Sequence, residues 1–201
     1  MLSNAHLPIV GIAAWSGTGK TTLLKELLPL LGARGLRVGV VKHAHHSFEV
    51  DYPGKDSYEL RKSGAAQMLI ASRSRWALVV EQERGREPRL DEVLLELDQG
   101  ALDLILVEGF KEEAFPKIEL HRPSLGYPLL FRDDKAIVAV ATDAPLEDTG
   151  DLPQLDLNSP ADIAAFIFHH VTRGHPSDGQ AHDTRERAPR SDSARGATTK
   201  P

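Results

Sequence analysis

The sequence of 201 residues contains no cysteine. This absence excludes disulfide bonds, zinc sites built from thiolates, iron–sulfur clusters and cysteine nucleophiles. The chain also lacks an apolar run of the ~18 residues that a membrane-spanning helix needs, and its start has no basic segment of the kind that opens a signal peptide. We therefore expect a cytoplasmic protein with no membrane partner.

An excess of positive charge is absent as well, because the formal net charge is −5 at pH 7. A chain without an overall basic field is not expected to bind nucleic acid. Hydrophobic residues make up 41% and charged residues 26%, which is typical of a soluble domain that buries a core. Length and composition together predict one folded domain.

The composition changes after residue 171. From residue 172 to the end no apolar residue larger than alanine occurs, and Pro, Ser, Gly, Arg and Asp dominate. Such a segment cannot bury enough surface to offset the conformational entropy lost on ordering. We predict a folded domain over 1–171 and a disordered tail over 172–201, which is either a solvated end or a weakly basic interaction arm.

Apolar strands alternate with helical patterns through the folded part. Four segments are predicted as buried strands and four as helices with apolar residues at helical spacing. The strands are LPIVGIAA, LRVGVVKH, LDLILVEGF and KAIVAVATD, and the helices are GKTTLLKELLPLLGARG, DSYELRKSG, LDEVLLELDQG and SPADIAAFIFHHV. This alternation predicts an α/β fold with a mostly parallel sheet and helices on both faces.

Four further segments are predicted as strands outside this alternation. QMLIAS and RWALVVEQ are joined by a tight polar turn, and PKIELHR and YPLLFR precede the last long strand. We expect the RWALVVEQ region and the latter two segments to be antiparallel additions. Trp76 is expected either in the core or at an interface, and Asp56 and Ser159 are candidate helix N-caps.

The stretch AAWSGTGKTT, residues 13–22, nearly matches the phosphate-binding pattern G-x-x-x-x-G-K-[ST] between a strand and a helix. Ala14 replaces the first glycine, at the strand end and before the turn that cradles the anion. Gly17 and Gly19 let backbone N–H groups converge on a phosphate, and the helix N-terminus adds its dipole. The context predicts that the loop binds a nucleotide despite Ala14.

The side chains of this loop have predicted roles. Lys20 reaches the β- and γ-phosphates as a point charge, Thr21 ligates Mg²⁺, and Thr22 lies near the α-phosphate. Glu108 follows the apolar run LILV of a neighbouring strand, where it would hold the Mg²⁺ shell or polarise a water. The predicted nucleotide-binding residues of the loop are Ser16, Gly17, Thr18, Gly19, Lys20, Thr21 and Thr22.

The segment after the second strand is dense in functional residue types. It should open on the same rim of the sheet as the phosphate loop. Lys42, His43 and Lys55 are candidate contacts to the phosphates. Asp51 is a second candidate carboxylate, either for Mg²⁺ or for a catalytic water.

Two features of this segment leave alternatives open. His43, His45 and His46 are either ligands of a zinc ion, with the remaining ligands supplied from elsewhere, or histidines that are solvated or lie near the phosphates. Arg61 and Lys62, on the short helix, either belong to the site or form a solvated charged face.

Taken together, these segments resemble a known family. AAWSGTGKTTLLKELLPLL, VVKHAHHSFEVDYPGKDSYELRKSGAAQ, RWAL and LDLILVEGFK occur in the order and spacing of the molybdopterin-guanine dinucleotide biosynthesis protein B (MobB) family. The resemblance covers roughly residues 8–171 and implies a P-loop NTPase-like fold that binds GTP with Mg²⁺ and forms homodimers through added β-structure. The residues carried over as phosphate, metal and catalytic groups are Gly17, Gly19, Lys20, Thr21, Asp51 and Glu108.

The same resemblance implies an adapter. Family members assist a MobA-type nucleotidyltransferase, which attaches GMP to molybdopterin, and they hydrolyse GTP slowly at most. Direct contact with molybdopterin stays open, and a small-molecule P-loop kinase is the alternative, although no arginine-rich lid stands out. Because the sequence has no N-K-x-D motif, guanine selection is not visible, and Asp143 is either a base-reading carboxylate or an ordinary strand end.

Overall fold

A computed structural model describes residues 2–44, 48–82 and 86–173. Of the tail predicted over 172–201, residues 174–201 lie outside the described residues, whereas residues 172 and 173 complete the last helix. No helix in the described ranges is long and apolar enough to cross a membrane. The elements are β1 (Ile9–Ala13), α1 (Lys20–Gly32), β2 (Val38–Lys42), α2 (Asp56–Lys62), β3 (Gln67–Ala71), β4 (Trp76–Val80), α3 (Leu90–Val93), β5 (Leu104–Glu108), β6 (Lys117–His121), β7 (Ile137–Thr142), β8 (Gln154–Asp156) and α4 (Pro160–Arg173).

Six strands form one sheet in the order β2-β5-β1-β6-β7-β8, and each neighbouring pair is parallel. All five residues of β1 are buried between β5 and β6, as expected for a strand covered on both faces. Glu108 is in register with Ile12 of β1 and with Lys42 of β2. The carboxyl ends of these three strands therefore lie together, and the predicted α/β fold is confirmed.

Two hydrophobic clusters cover the two faces of the sheet. In one cluster, Val10 and Ile12 of β1 pack with leucines of α1 and with Ile163 of α4. In the other, Ile9 packs with a group that includes Leu90 of α3. Because successive residues of a strand point to opposite faces, the short apolar run of β1 supplies both clusters and fixes the loop that follows it.

Strands β3 and β4 form a separate antiparallel hairpin. The two predicted strands and the tight turn between them are confirmed, but the hairpin does not extend the main sheet. Leu69, Trp76 and Leu78 are 59%, 69% and 43% exposed. Trp76 is therefore not a core residue of this chain, which leaves the alternative that it belongs to an interface.

Strand β6 differs from the prediction. It was expected to be an antiparallel addition, but it pairs in parallel with β1 and β7 and is buried throughout. Its sequence alternates charged and apolar residues, a pattern typical of a half-exposed strand. The charged residues have buried partners instead: Lys117 Nζ donates to Asp134 at 2.7 Å, and Glu119 accepts from the backbone N–H of Leu130 at 2.8 Å.

The segment YPLLFR is not a strand. Residues Leu130–Arg132 form a 3₁₀ turn, because the Glu119 carboxylate accepts the N–H groups of Leu130 and Phe131 and holds the backbone curved. The short strand β8, at the sheet edge beside β7, was not predicted.

The predicted helices also differ in detail. LDEVLLELDQG does not form one helix, since α3 ends at Val93 and two 3₁₀ turns follow. Leu90 and Leu94 are both fully buried. The conformation of this segment is therefore set by packing of these two leucines against the sheet and not by a continuous helix. In α2 the residue at the cap position is Lys55, and Asp56 opens the first turn, where an acidic side chain favours the helix dipole.

Candidate functional site

The glycine-rich loop runs from the end of β1 to the start of α1. Gly17 and Gly19 have φ angles of 80° and 107°, in the left-handed region that residues with a Cβ rarely adopt. The residue at the cap position of α1 is Gly19, which has no side chain to cap the helix N-terminus. The backbone N–H groups of the first turn are therefore without side-chain partners from the cap position, which is the arrangement that suits an anion.

The environment of Ala14 shows why the first position of the pattern does not need a glycine. Its side chain is buried in the cluster between the sheet and α1, and its φ is not positive. A small residue that packs against the core therefore satisfies this position, while the turn itself depends on Gly17 and Gly19.

Lys20 bridges the loop from its far end. Its Nζ donates to the carbonyl oxygens of Ala14 and Trp15, both at 3.0 Å. Burial lowers the pKa of Lys20; the nearby cations of Lys111 and Lys42 act in the same direction, and the carboxylate of Glu108 opposes them. The lysine is thus surrounded by charges at the end of the loop where a polyphosphate is expected.

A first cleft, which we call the lysine cleft, opens beside Lys20 and has a volume of about 320 Å³. It brings together several predicted residues, among them Ser16, His43 and Glu108. Glu108 also accepts from Lys42 Nζ at 3.3 Å across the β2–β5 register. The lining residues are Ile12, Ala14, Trp15, Ser16, Lys20, His43, Glu108, Gly109 and Lys111.

Lys111 was missed in the sequence, although EGFK directly after a buried strand is the signal that points to it. The chain turns sharply after β5, because Gly109 has a φ of 100° and Phe110, unusually for a non-glycine residue, a φ of 51°. A Cβ on Gly109 would lie 2.5 Å from Cβ of His43, whose ring stacks on Phe110 at 4.6 Å. This turn brings Lys111 Nζ to 5.5 Å from the centroid of the Trp15 ring.

Trp15 is itself held in position. Its indole stacks on Tyr127, with centroids 5.5 Å apart, and its Nε1 donates to the carbonyl of Pro128 at 2.9 Å. A variable position of the phosphate-binding pattern therefore anchors the loop to the segment after β6 and supports Lys111.

A second cleft, which we call the threonine cleft, opens on the opposite side of the loop and has a volume of about 390 Å³. Arg122, missed in the sequence, spans it: Nε donates to the Thr18 carbonyl at 3.1 Å, and Nη1 donates to Asp143 at 2.5 Å. The lining residues are Gly17, Thr18, Gly19, Thr22, Leu23, Glu26, Arg122, Leu157, Asn158 and Pro160.

Asp51 lies in a different cluster from the two clefts. Arg61 donates to Asp51 at 2.6 Å and to Glu81 at 2.5 Å, and it also pairs with Glu49. This contact with Arg61 lowers the pKa of Asp51. Arg61 is buried and not part of a solvated face, and Asp51 lines neither cleft.

Two other predicted residues are also away from the loop. Lys55 lies over the ring of Tyr52, at 5.3 Å, and lines neither cleft. Thr21, at the start of α1, is exposed beside Lys20 but does not line the clefts.

The residues that the structure describes fit a magnesium ion better than a zinc ion. Among the described residues, no group of three or more His, Cys, Asp or Glu side chains is arranged to hold a metal. His43 pairs through Nε2 with Glu87 at 2.9 Å, and His45 and His46 lie outside the described residues. Glu108 and Thr21 supply isolated oxygens, the kind of partial set that suits Mg²⁺ bound together with phosphates.

The sheet is parallel, a glycine loop follows its strand β1, a lysine begins the next helix, and a carboxylate ends the adjacent strand. These features define a P-loop NTPase-like protein. Residues 9–143 match the family described as Molybdopterin guanine dinucleotide synthesis protein B. The chain belongs to this family, and the resemblance noted in the sequence is confirmed.

Curated relatives agree with this membership. The chain is 49% identical over 174 residues to the molybdopterin-guanine dinucleotide biosynthesis adapter protein of Escherichia coli (strain K12), covering 86% of this chain and 98% of that protein. It is 44% identical over 170 residues to the protein of the same name from Haemophilus influenzae, covering 83% and 93%.

Solved structures agree as well. A crystal structure of molybdopterin-guanine biosynthesis protein B superposes with a TM-score of 0.65 at 27% identity, covering 82% of this chain and 99% of that chain. The MobB homolog from Bacillus stearothermophilus gives a TM-score of 0.59 at 26% identity, covering 82% and 98%.

Proposed function

We propose that this chain is a GTP-binding adapter in the synthesis of molybdopterin guanine dinucleotide. In this role it assists a MobA-type nucleotidyltransferase, which attaches GMP to molybdopterin, and it is not itself the transferase. Family membership and the names of the two bacterial relatives support this role. The single observation that carries nucleotide binding is the loop geometry, with Lys20 beside Glu108 and left-handed glycines before α1.

The two clefts support one orientation of the nucleotide. In the phosphate-binding pattern the lysine contacts the β- and γ-phosphates, so we assign the terminal phosphates to the lysine cleft. Thr22 follows Lys20 by two residues on the first turn of α1 and lines the threonine cleft with Thr18. The α-phosphate and the nucleoside are accordingly assigned to the threonine cleft.

Thr21 and Glu108 are the proposed magnesium ligands. In nucleotide sites Mg²⁺ takes one or two carboxylates together with phosphate oxygens and waters. When bound, the cation would offset the negative charge of the phosphates. Asp51 is not assigned to the metal here, because its carboxylate already accepts from Arg61. A metal or catalytic role for Asp51 remains a prediction.

For activity, the corresponding proposal is that the chain hydrolyses GTP slowly at most. Glu108 is the only carboxylate among the described residues that line the lysine cleft, and Lys42 donates to it. A carboxylate whose oxygen already accepts a hydrogen bond from a lysine has fewer lone pairs free to take a proton from water. A site with one such base suits holding the nucleotide more than turning it over.

Lys111 is a proposed second cation for the terminal phosphate. Residues held in sparsely populated backbone regions cost of order 1–3 kcal/mol and cluster at functional sites. The strained Phe110 has one evident consequence, which is to turn Lys111 back over the loop beside Lys20.

The hairpin of β3 and β4 is the proposed contact between two copies of the chain. Leu69, Trp76 and Leu78 expose apolar surface there, and contiguous apolar patches mark protein interfaces. A two-stranded hairpin is also marginally stable by itself, so cover from a second copy would stabilise it. Contact with molybdopterin and a cytoplasmic location stay predictions.

Calorimetric titration of the full chain with Mg²⁺ tests the nucleotide proposal. We expect GTP to bind more tightly than ATP, Lys20→Ala to abolish binding, and Lys25→Ala, an exposed lysine on the same helix, to leave it intact. Multiple-turnover phosphoryl transfer to a small alcohol or acid would favour the kinase alternative instead.

Sedimentation of the chain mixed with a purified MobA-type transferase tests the adapter role. We expect a complex that sediments faster than either protein. If no complex forms with or without GTP and Mg²⁺, the adapter role is contradicted while nucleotide binding stands.

A further inference from the structure

We propose that Arg122 selects guanine, by donating from its guanidinium to the O6 and N7 acceptors of the base, and that Asp143 is the residue that positions it. The inference rests on the proposed binding of a nucleotide across the loop. The proposal concerns the base of the nucleotide, whose identity the phosphate-binding motif does not determine.

The threonine cleft has the position and size for a purine nucleoside. It opens at Thr18 and Thr22, on the side of the loop away from Lys20, and its far wall is formed by Leu157, Asn158 and Pro160. A volume of about 390 Å³ lies in the range of small-ligand sites. A nucleotide whose phosphates lie against Lys20 would extend its base into this cleft.

Arg122 is held so that some of its donors remain available. Two of its three nitrogens are engaged, Nε by the Thr18 carbonyl and Nη1 by Asp143. Nη2 makes no hydrogen bond to any residue in the described ranges. A guanidinium is planar and carries five N–H groups in a fixed fork, so fixing Nε and Nη1 also fixes the direction of the remaining donors.

The chemistry of the two purines differs at the atoms that such a fork would meet. Guanine presents O6 and N7, both acceptors, whereas adenine presents N7 beside an N6 amino donor. Donors of Arg122 therefore match guanine and oppose the adenine amino group. A bidentate contact of this kind discriminates against the wrong base by about tenfold to a hundredfold.

Asp143 is better suited to positioning than to direct reading. Its Oδ2 accepts from Arg122, and Asp143 does not itself line the cleft. The carboxylate also balances the charge of the guanidinium, so the cleft does not become a second site for phosphate. Asp143 thus acts on the base through Arg122.

Titrations of the full chain with GTP, ITP and ATP, each with Mg²⁺, test the inference. The hypoxanthine base of ITP keeps O6 and N7 but lacks the 2-amino group. Wild type should bind GTP and ITP similarly and ATP about tenfold to a hundredfold more weakly. Arg122→Ala should weaken GTP and ITP to the level of ATP with ATP affinity nearly unchanged, which also reports that the loop is folded.

Two further variants and one control sharpen the comparison. Arg122→Lys keeps the charge without the fork and should lose most of the selectivity, and Asp143→Asn should lose part of it. Arg132→Ala, an exposed arginine outside both clefts, should change neither affinity nor selectivity.

Several results would overturn the inference. An equal loss of GTP and ATP affinity in Arg122→Ala would show that Arg122 only braces Thr18. Binding of ITP at the level of ATP in wild type would point to a carboxylate that reads the 2-amino group. Equal binding of GTP and ATP by wild type overturns the inference but leaves the phosphate site standing, whereas binding of neither overturns both.

Discussion

The guanidinium of Arg61 donates to the Asp51 carboxylate at 2.6 Å, and the two side chains are 6% and 7% exposed. Arg61 also pairs with Glu81, directly after β4, and with Glu49. One buried arginine therefore connects the segment after β2, helix α2 and the hairpin.

This cluster predicts a loss of stability when Arg61 is replaced. Arg61→Met should lower the melting temperature by several degrees, because removing one partner of a buried ion pair leaves the other charge without compensation. Lys62→Met, at the exposed neighbouring position on α2, is the matched control and should have little effect. Equal melting temperatures for Arg61→Met and wild type would contradict the structural role of the cluster.

The cluster also predicts a dependence of stability on pH. Arg61 lowers the pKa values of Asp51 and Glu49 below their ordinary values of 3.8 and 4.5. Their contribution to the free energy of unfolding is therefore present above those ordinary values and is lost as the pH falls through the lowered ones. In denaturant titrations across this acid range, Arg61→Met should lose stability less steeply with falling pH than wild type does.

The magnesium proposal predicts a specific effect of Glu108→Gln. The amide keeps the shape of the side chain but loses the charge, so the Mg²⁺ concentration needed for half-maximal GTP binding should rise by about tenfold or more. Asp51→Asn tests the prediction made for the other carboxylate with the same titration. A normal Mg²⁺ requirement in Glu108→Gln would remove Glu108 from the metal site.

Lys111 predicts a difference between nucleotides that differ only in the terminal phosphate. Lys111→Ala should weaken GTP by about tenfold, the size of a charge-assisted hydrogen bond, and should change GDP much less. Lys25→Ala, at an exposed lysine outside both clefts, serves as the control. Equal losses for GTP and GDP would place Lys111 at the β-phosphate or in a general electrostatic role.

The same site provides an optical measurement. The chain has two tryptophans, so Trp76→Phe leaves Trp15 as the single indole. Lys111 lies over its ring, and a nucleotide that draws Lys111 toward the terminal phosphate should change the emission of Trp15. We expect a larger change with GTP than with GDP, and no such difference after Lys111→Ala.

The exposed hairpin predicts self-association. Trp76→Glu should convert a dimer into a monomer in sedimentation velocity, since a charge would have to be buried in an apolar contact. Leu125→Glu, an exposed apolar residue away from the hairpin with 43% exposure, should leave the dimer intact. A wild-type chain that sediments as a monomer at high concentration would contradict the proposal.

Much of the fold was accessible from local sequence. The apolar run of β1, the two turn glycines and Lys20 predict a strand, a loop and a helix without reference to the rest of the chain. Strand β6 was misjudged for a physical reason. The charges of Lys117 and Glu119 indicate exposure unless their distant partners are known, and Asp134 and the backbone of Leu130 supply those partners.

The residues of the site also separate into those that local sequence predicts and those that depend on distant contacts. The sequence by itself determined the phosphate-binding loop and membership of the family, because both reside in short contiguous segments whose residue types dictate their chemistry. Only the tertiary structure decided that Asp51 belongs with Arg61, and that Lys111 and Arg122 flank the loop. Those positions depend on strand order and on contacts between residues far apart in the chain, which a single sequence does not specify. The EGFK segment marks Lys111 as a candidate, but it does not locate Lys111 beside Trp15.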